Sequence, residues 1–93
     1  MTEQKGGRLA AQAGMLCGEP TFLLYLDARL RWETGMTPEV LPDGTASTLD
    51  AAEFIRSRCS VRSRADLDHD QEAAAMFGRI VNDYRRWRGR RMG

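Results

Sequence analysis

Histidine occurs once in this chain, at position 69, and cysteine twice, at positions 17 and 59. Those scarcities remove most metal and nucleophile chemistry. A structural zinc site draws four ligands from cysteine and histidine, usually as closely spaced pairs. Here there is no C-x-x-C pair, and His69 is remote in sequence from both thiols. Catalysis by Cys59 with His69 needs a lowered thiol pKa and a third orienting group, whereas a cysteine on the apolar side of a helix end has its pKa raised. Glycine is no richer in function: Gly6-Gly7 and the Gly14 to Gly18 stretch match neither nucleotide-cradling fingerprint. Long apolar runs are missing as well. The most apolar stretch, 22–26, is cut off by Asp27 and Arg29, far short of the roughly 18 residues a membrane span needs. Residues 1–7 are polar and lack the apolar segment of a signal peptide, so the reading is a cytoplasmic protein with reduced thiols. These absences together predict a protein that is not an enzyme and uses no cofactor and no metal.

What is present is an ordinary globular composition, 42% hydrophobic and 29% charged over 93 residues, enough for one core and too little for two. The net charge of +1 hides an asymmetry. Residues 1–55 carry four basic and eight acidic side chains, and residues 56–93 carry ten arginines and five acids. All basic residues except Lys5 are arginine, the side chain suited to bidentate contact with carboxylate or phosphate.

The periodicity reads as all-α: a small single-domain bundle of four to five helices with one long loop. Leu9, Ala13 and Leu16 recur at helical spacing, with Gly18 placed to end a first helix in a left-handed conformation. Pro20 suits the first turn of a second helix over 20–33, with Phe22, Leu23, Leu26 and Leu30 as its apolar stripe. Asp27 and Arg31, four apart, read as an ion pair on its opposite, wet face. Thr34 and Gly35 stop that helix, and 36–46, with Pro42-Asp43-Gly44, is turn chemistry. Ser47 or Thr48 caps a third helix ending near residue 58, with Leu49, Ala52, Phe54, Ile55 and Cys59 facing inward. Ser63 to Asp66 repeats the capping logic for one short turn anchored by Leu67. The last helix, over 69–88 with Asp68 as its cap, has the clearest stripe: Ala73, Phe77, Ile80, Val81, Tyr84 and Trp87. Residues 1–7 then form a disordered tail, 8–88 the helical domain and 89–93 a basic tail.

Two surfaces qualify for binding. Arg56, Arg58, Arg62 and Arg64 bracket the turn after the third helix, and Arg85, Arg86, Arg88, Arg90 and Arg91 crowd the C-terminus around Trp87. Clustered guanidinium groups suit phosphate, and an interleaved aromatic suits an unpaired base. The plainer reading is a solvated helix end with Trp87 as core. In the acidic half, Glu33, Glu39, Asp43, Asp50 and Glu53 could converge into a negative surface that imitates nucleic acid.

Leu16-Cys17 with Phe22 and Leu26, Ala51-Ala52-Glu53-Phe54-Ile55-Arg56 with Cys59, and Ser63-Arg64-Ala65-Asp66-Leu67-Asp68 together resemble a group of small bacteriophage and prophage proteins. The resemblance covers about residues 8–88 and falls mostly on core, cap and turn positions, so it implies a shared fold and assigns no active residue. It implies a context: such proteins assist replication and recombination or inhibit a host system, CRISPR interference among them. The expected function is a phage-type accessory that binds and modulates a host nucleic-acid machine, as an anti-CRISPR protein would. Its partner would be a host protein or nucleoprotein complex. The alternative is direct binding of DNA or RNA through the arginines. No membrane partner is expected.

Overall fold

Local capping chemistry sets most of the element boundaries in the computed structural model, which describes residues 7–92. The helices are α1 (Arg8–Cys17), α2 (Pro20–Thr34), α3 (Thr48–Cys59) and α4 (Gln71–Met92), with a 3₁₀ turn, Arg64–Asp68, between the last two. The architecture is an all-α bundle, with no strand among the described residues. No helix among them is long and apolar enough to cross a membrane.

Pro20 stands in the first turn of α2, and Gly35, at φ 76°, ends that helix in the left-handed conformation. Ser47 and Asp50 form a reciprocal capping box at the start of α3, and Ser63 and Asp66 form another at the 3₁₀ turn. Gly18 departs from expectation. It is right-handed, at φ −94°, because only Glu19 separates it from Pro20 and the chain must turn into α2 at once.

The start of α4 needs a further correction. The N–H of His69 donates to the Asp66 carbonyl at 3.0 Å, so the 3₁₀ turn delays the helix. Asp70 is its cap, accepting from the N–H groups of Glu72 and Ala73 at 3.0 and 3.1 Å. Asp68 has a different task. Its carboxylate accepts from the N–H groups of Gly7, Leu9 and Ala10 at 2.7 to 3.0 Å. It thus satisfies the exposed donors of α1, whose own N-cap, Gly7, has no side chain to do so. Those three bonds hold its pKa below the usual carboxylate value, the Leu9 bond first among them.

The core is built from Ala13, Leu16 and Cys17 of α1, Phe22, Tyr25 and Leu26 of α2, and Ala51, Ala52, Ile55 and Cys59 of α3. Ala46 of the long loop, Leu67 and the α4 stripe Ala73, Phe77, Ile80, Val81 and Tyr84 complete it. Phe22 meets Tyr84 edge-on at 5.1 Å, and Tyr25 meets Trp87 at 5.7 Å, so aromatic pairs join α2 to α4. Trp87 is only half-buried. Leu49 is 79% exposed. It lies about 200° around α3 from Ala51, at 3.6 residues per turn, and the face that packs is 51, 52, 55 and 59. On α2, Tyr25 is buried while Leu23 and Leu30 are only partly covered.

The expected Asp27–Arg31 surface pair does not form. Asp27 is fully buried, and its two carboxylate oxygens accept from the N–H groups of Gly44 at 2.8 Å and Ala46 at 2.9 Å. Arg31 donates to the Leu41 carbonyl at 2.8 Å and pairs with Asp43 at 3.0 Å. The long loop folds back on α2 and is fastened there by both residues.

At the ends, the expected tail at 1–7 lies outside the described residues except for Gly7. The other expected tail is helical: α4 passes through Gly89 and runs to Met92. A Cβ on Gly89 would meet nothing within 4 Å, so glycine costs this helix only propensity, and arginines near its negative end compensate.

Candidate nucleic-acid interface

Six arginines, Arg79, Arg85, Arg86, Arg88, Arg90 and Arg91, stand on α4, the last five in its C-terminal half, and from residue 79 onward the helix carries a single acid, Asp83. At 3.6 residues per turn, Arg79, Asp83, Arg86 and Arg90 share one face, while Arg85, Arg88 and Arg91 turn to the others. Asp83 is occupied within the fold. Its Oδ2 accepts from the Tyr25 hydroxyl at 2.6 Å and from Arg29 at 2.8 Å. Burial, followed by the Asp83 bond, pushes the Tyr25 phenol up to about 12, which keeps it a donor at any physiological pH. Arg88 lies over the Tyr84 ring at 5.2 Å and Arg91 over Trp87 at 5.3 Å. Cation–π contact of this kind fixes a guanidinium group and leaves its charge uncompensated.

The face carrying Arg79 and Arg86 opens on a cleft of about 380 Å³ between α2, α3 and α4. Arg29 and Arg58 line it from the other side, with Phe54 and Tyr25 as its aromatic members. Arg58 stacks over Phe54 at 4.7 Å and donates to Glu33 of α2. The two basic clusters read from the sequence are therefore divided differently in space. Arg58 joins the α4 arginines, while Arg56, Arg62 and Arg64 line a shallow depression against the start of α1. Arg56 there pairs with Glu53 at 3.1 Å, and Arg64 reaches over Gly14 toward Cys17. Arg29 and Arg79 are site residues the sequence reading missed. Arg79 stands seven positions before Arg86, a same-face spacing on a helix, but Arg29 becomes visible only through its bond to Asp83, 54 residues away.

The acidic residues do not converge into a bare negative surface. Glu33 bonds to Arg58 and Arg29, which together hold its carboxyl down at about 2. Asp43 pairs with Arg31 and Glu53 with Arg56. Asp50 is engaged in the α3 capping box, and Glu39 stands exposed in the long loop. Both thiols are buried, unbridged and pushed up in pKa by that burial, opposed at Cys17 by Arg64. Thiols so placed stay protonated at neutral pH and are poor nucleophiles. No group of three or more metal-ligating side chains occurs among the described residues.

No family model, curated protein or solved structure matches this chain. The chain's own side chains define what the surface can hold. What they offer is a set of arginines on one long helix, a cleft beside it with further arginines and aromatic walls, and acids elsewhere of which Glu33, Asp43 and Glu53 pair with arginines while Asp27, Asp50, Asp66, Asp68 and Asp70 are held by backbone N–H groups. That arrangement is suited to holding a polyanion.

Proposed function

We propose that this chain is a non-enzymatic nucleic-acid-binding accessory protein whose contact surface is the C-terminal half of α4 together with the adjoining cleft. The observation that carries this reading is the contrast in pairing. Among the described residues none of the six α4 arginines takes part in an ion pair, whereas Glu33, Asp43 and Glu53 each do. A nucleic acid contributes a row of phosphates, and each one neutralised by arginine releases condensed counterions, a gain that needs unpaired cations. The resemblance to small phage and prophage proteins supports a role in replication or recombination. Inhibition of a host nucleic-acid machine through an acidic mimic, an anti-CRISPR role included, has less support, because most of the acids that would face such a partner are matched within the chain.

Fluorescence anisotropy of labelled DNA over a range of salt tests the reading. The expectation is a dissociation constant in the micromolar range near physiological salt, weakening steeply as salt rises, with a log–log slope of about −3 to −5 for four to six phosphate contacts. The double variant Arg85→Glu with Arg86→Glu should weaken binding more than about tenfold and flatten the slope by about 2. Absence of binding at low salt, or binding untouched by that variant, refutes the proposal.

A further inference from the structure

Trp32 is the most exposed aromatic side chain that the fold leaves unexplained, 78% accessible near the end of α2. Leaving so large an apolar ring in water is costly, and the core has no use for it there. Its surroundings give it a use. Trp32 and the half-buried Trp87 line opposite sides of a cleft of about 340 Å³ between α2 and α4, with Arg29, Asp83 and Arg90 also in the lining. The volume lies at the lower end of ordinary ligand pockets, roughly 300 to 1,000 Å³. Arg29 sits 5.7 Å from the Trp32 ring and Arg91 lies over Trp87 at 5.3 Å. Tyr25, Arg29 and Asp83 border both this cleft and the one lined by Arg58, Arg79 and Arg86, so the two are neighbouring parts of a single track along α4.

From this we infer that the ligand is single-stranded nucleic acid, with an unpaired base stacking in the Trp32–Trp87 cleft while its phosphates follow the arginines of α4; this rests on the nucleic-acid reading above. A duplex keeps its base faces inside the stack and could meet the two indoles only with its backbone. A single strand presents both things the track can hold: π-faces for tryptophan and closely spaced phosphates for arginine. Asp83, midway along the track, offers little repulsion, because Arg29 and the Tyr25 hydroxyl already hold its carboxylate. DNA and RNA single strands share this chemistry, so both serve as probes.

The test uses a labelled oligothymidylate of about twenty nucleotides, the same length of oligouridylate and a duplex of equal length, with the full chain and its Trp32→Ala and Trp32→Phe variants. Single strands should bind more tightly than duplex and quench tryptophan fluorescence. Trp32→Ala should weaken single-strand binding about tenfold, Trp32→Phe should restore part of that loss, and duplex binding should change less than about twofold. Because Trp32 is exposed, the variants should melt with the parent, which circular dichroism checks. Equal binding of single strand and duplex, both indifferent to Trp32→Ala but lost on Arg85→Glu with Arg86→Glu, overturns this inference and leaves the α4 reading standing. Binding of neither overturns both. A sedimenting dimer that Trp32→Ala converts to monomer also overturns it, since Trp32 would then be covered by a second copy.

Discussion

Replacing Asp27 by alanine probes the least expected feature of the fold, a fully buried carboxylate that fastens a loop. The side chain accepts from two backbone N–H groups, and the variant leaves both without that partner. Ala46 is buried, so its N–H cannot turn to water, and a charged hydrogen bond lost there costs about 2 kcal/mol. Gly44 is exposed, so water replaces much of its bond and about 1 kcal/mol is lost. The combined loss of about 3 kcal/mol is large against the roughly 5 to 14 kcal/mol expected for 93 residues. At about 4 to 8 °C per kcal/mol for domains of this size, the melting temperature falls by about 12 to 24 °C. Asp27→Asn keeps one acceptor oxygen but turns its amide group toward an N–H, so it should lie between parent and alanine variant. Urea unfolding supplies the free energies, and native-state hydrogen exchange reads the Gly44 and Ala46 amides directly. A loss under about 1 kcal/mol, with both amides as protected as before, would show that Asp27 does not hold the loop.

Asp68→Ala removes the acceptor for three N–H groups at the start of α1, and hydrogen exchange should show the Leu9 and Ala10 amides losing protection while the amides of α4 keep theirs. Unchanged exchange at Leu9 and Ala10 would contradict the cross-chain cap. Glu33 gives a pH dependence: its carboxyl is held at about 2 in the fold, below its ordinary 4.5, so it stabilises the protein above pH 4.5. That contribution is lost as the pH falls from about 4.5 toward 2. The side chain is 24% exposed and screened by water, which limits the effect to about 1 kcal/mol. Urea unfolding of the parent and Glu33→Gln at pH 7 and near pH 2 should differ by that amount at the higher pH and converge at the lower one.

Features decided within a few residues were legible in the sequence. The capping boxes at Ser47 and Ser63, the stop at Gly35 and the α4 stripe from Ala73 to Tyr84 all follow from chemistry spanning three or four positions. Features decided by distant partners were not. Asp27 and Arg31 have the spacing of a surface pair, and only the return of the loop 17 to 19 residues later turns Asp27 into a buried acceptor. In Asp68-His69-Asp70 either aspartate could start a helix. The docking of α1, some 60 residues earlier in the chain, draws Asp68 away and leaves Asp70 to cap α4.

The candidate site divides along the same line. Charge density at the C-terminus was legible, but which arginines remain unpaired was not, because pairing runs between elements: Arg58 with Glu33 across 25 residues and Arg29 with Asp83 across 54. The division has a physical origin in helix length. α2, with 15 residues, and α3, with 12, lie among other elements, and Arg29, Arg31, Arg56 and Arg58 each have a carboxylate to pair with. α4 has 22 residues, about 33 Å at 1.5 Å per residue, and residues 88–91 are exposed. That stretch has no acid of its own, and what supports it is stacking of Arg88 on Tyr84 and Arg91 on Trp87 together with the favourable end of the helix dipole. Neither support neutralises charge. A helix end held in this way keeps its arginines positioned and still able to bind an anion, so the feature that stabilises α4 without acids is also the one that suits it to a phosphate backbone.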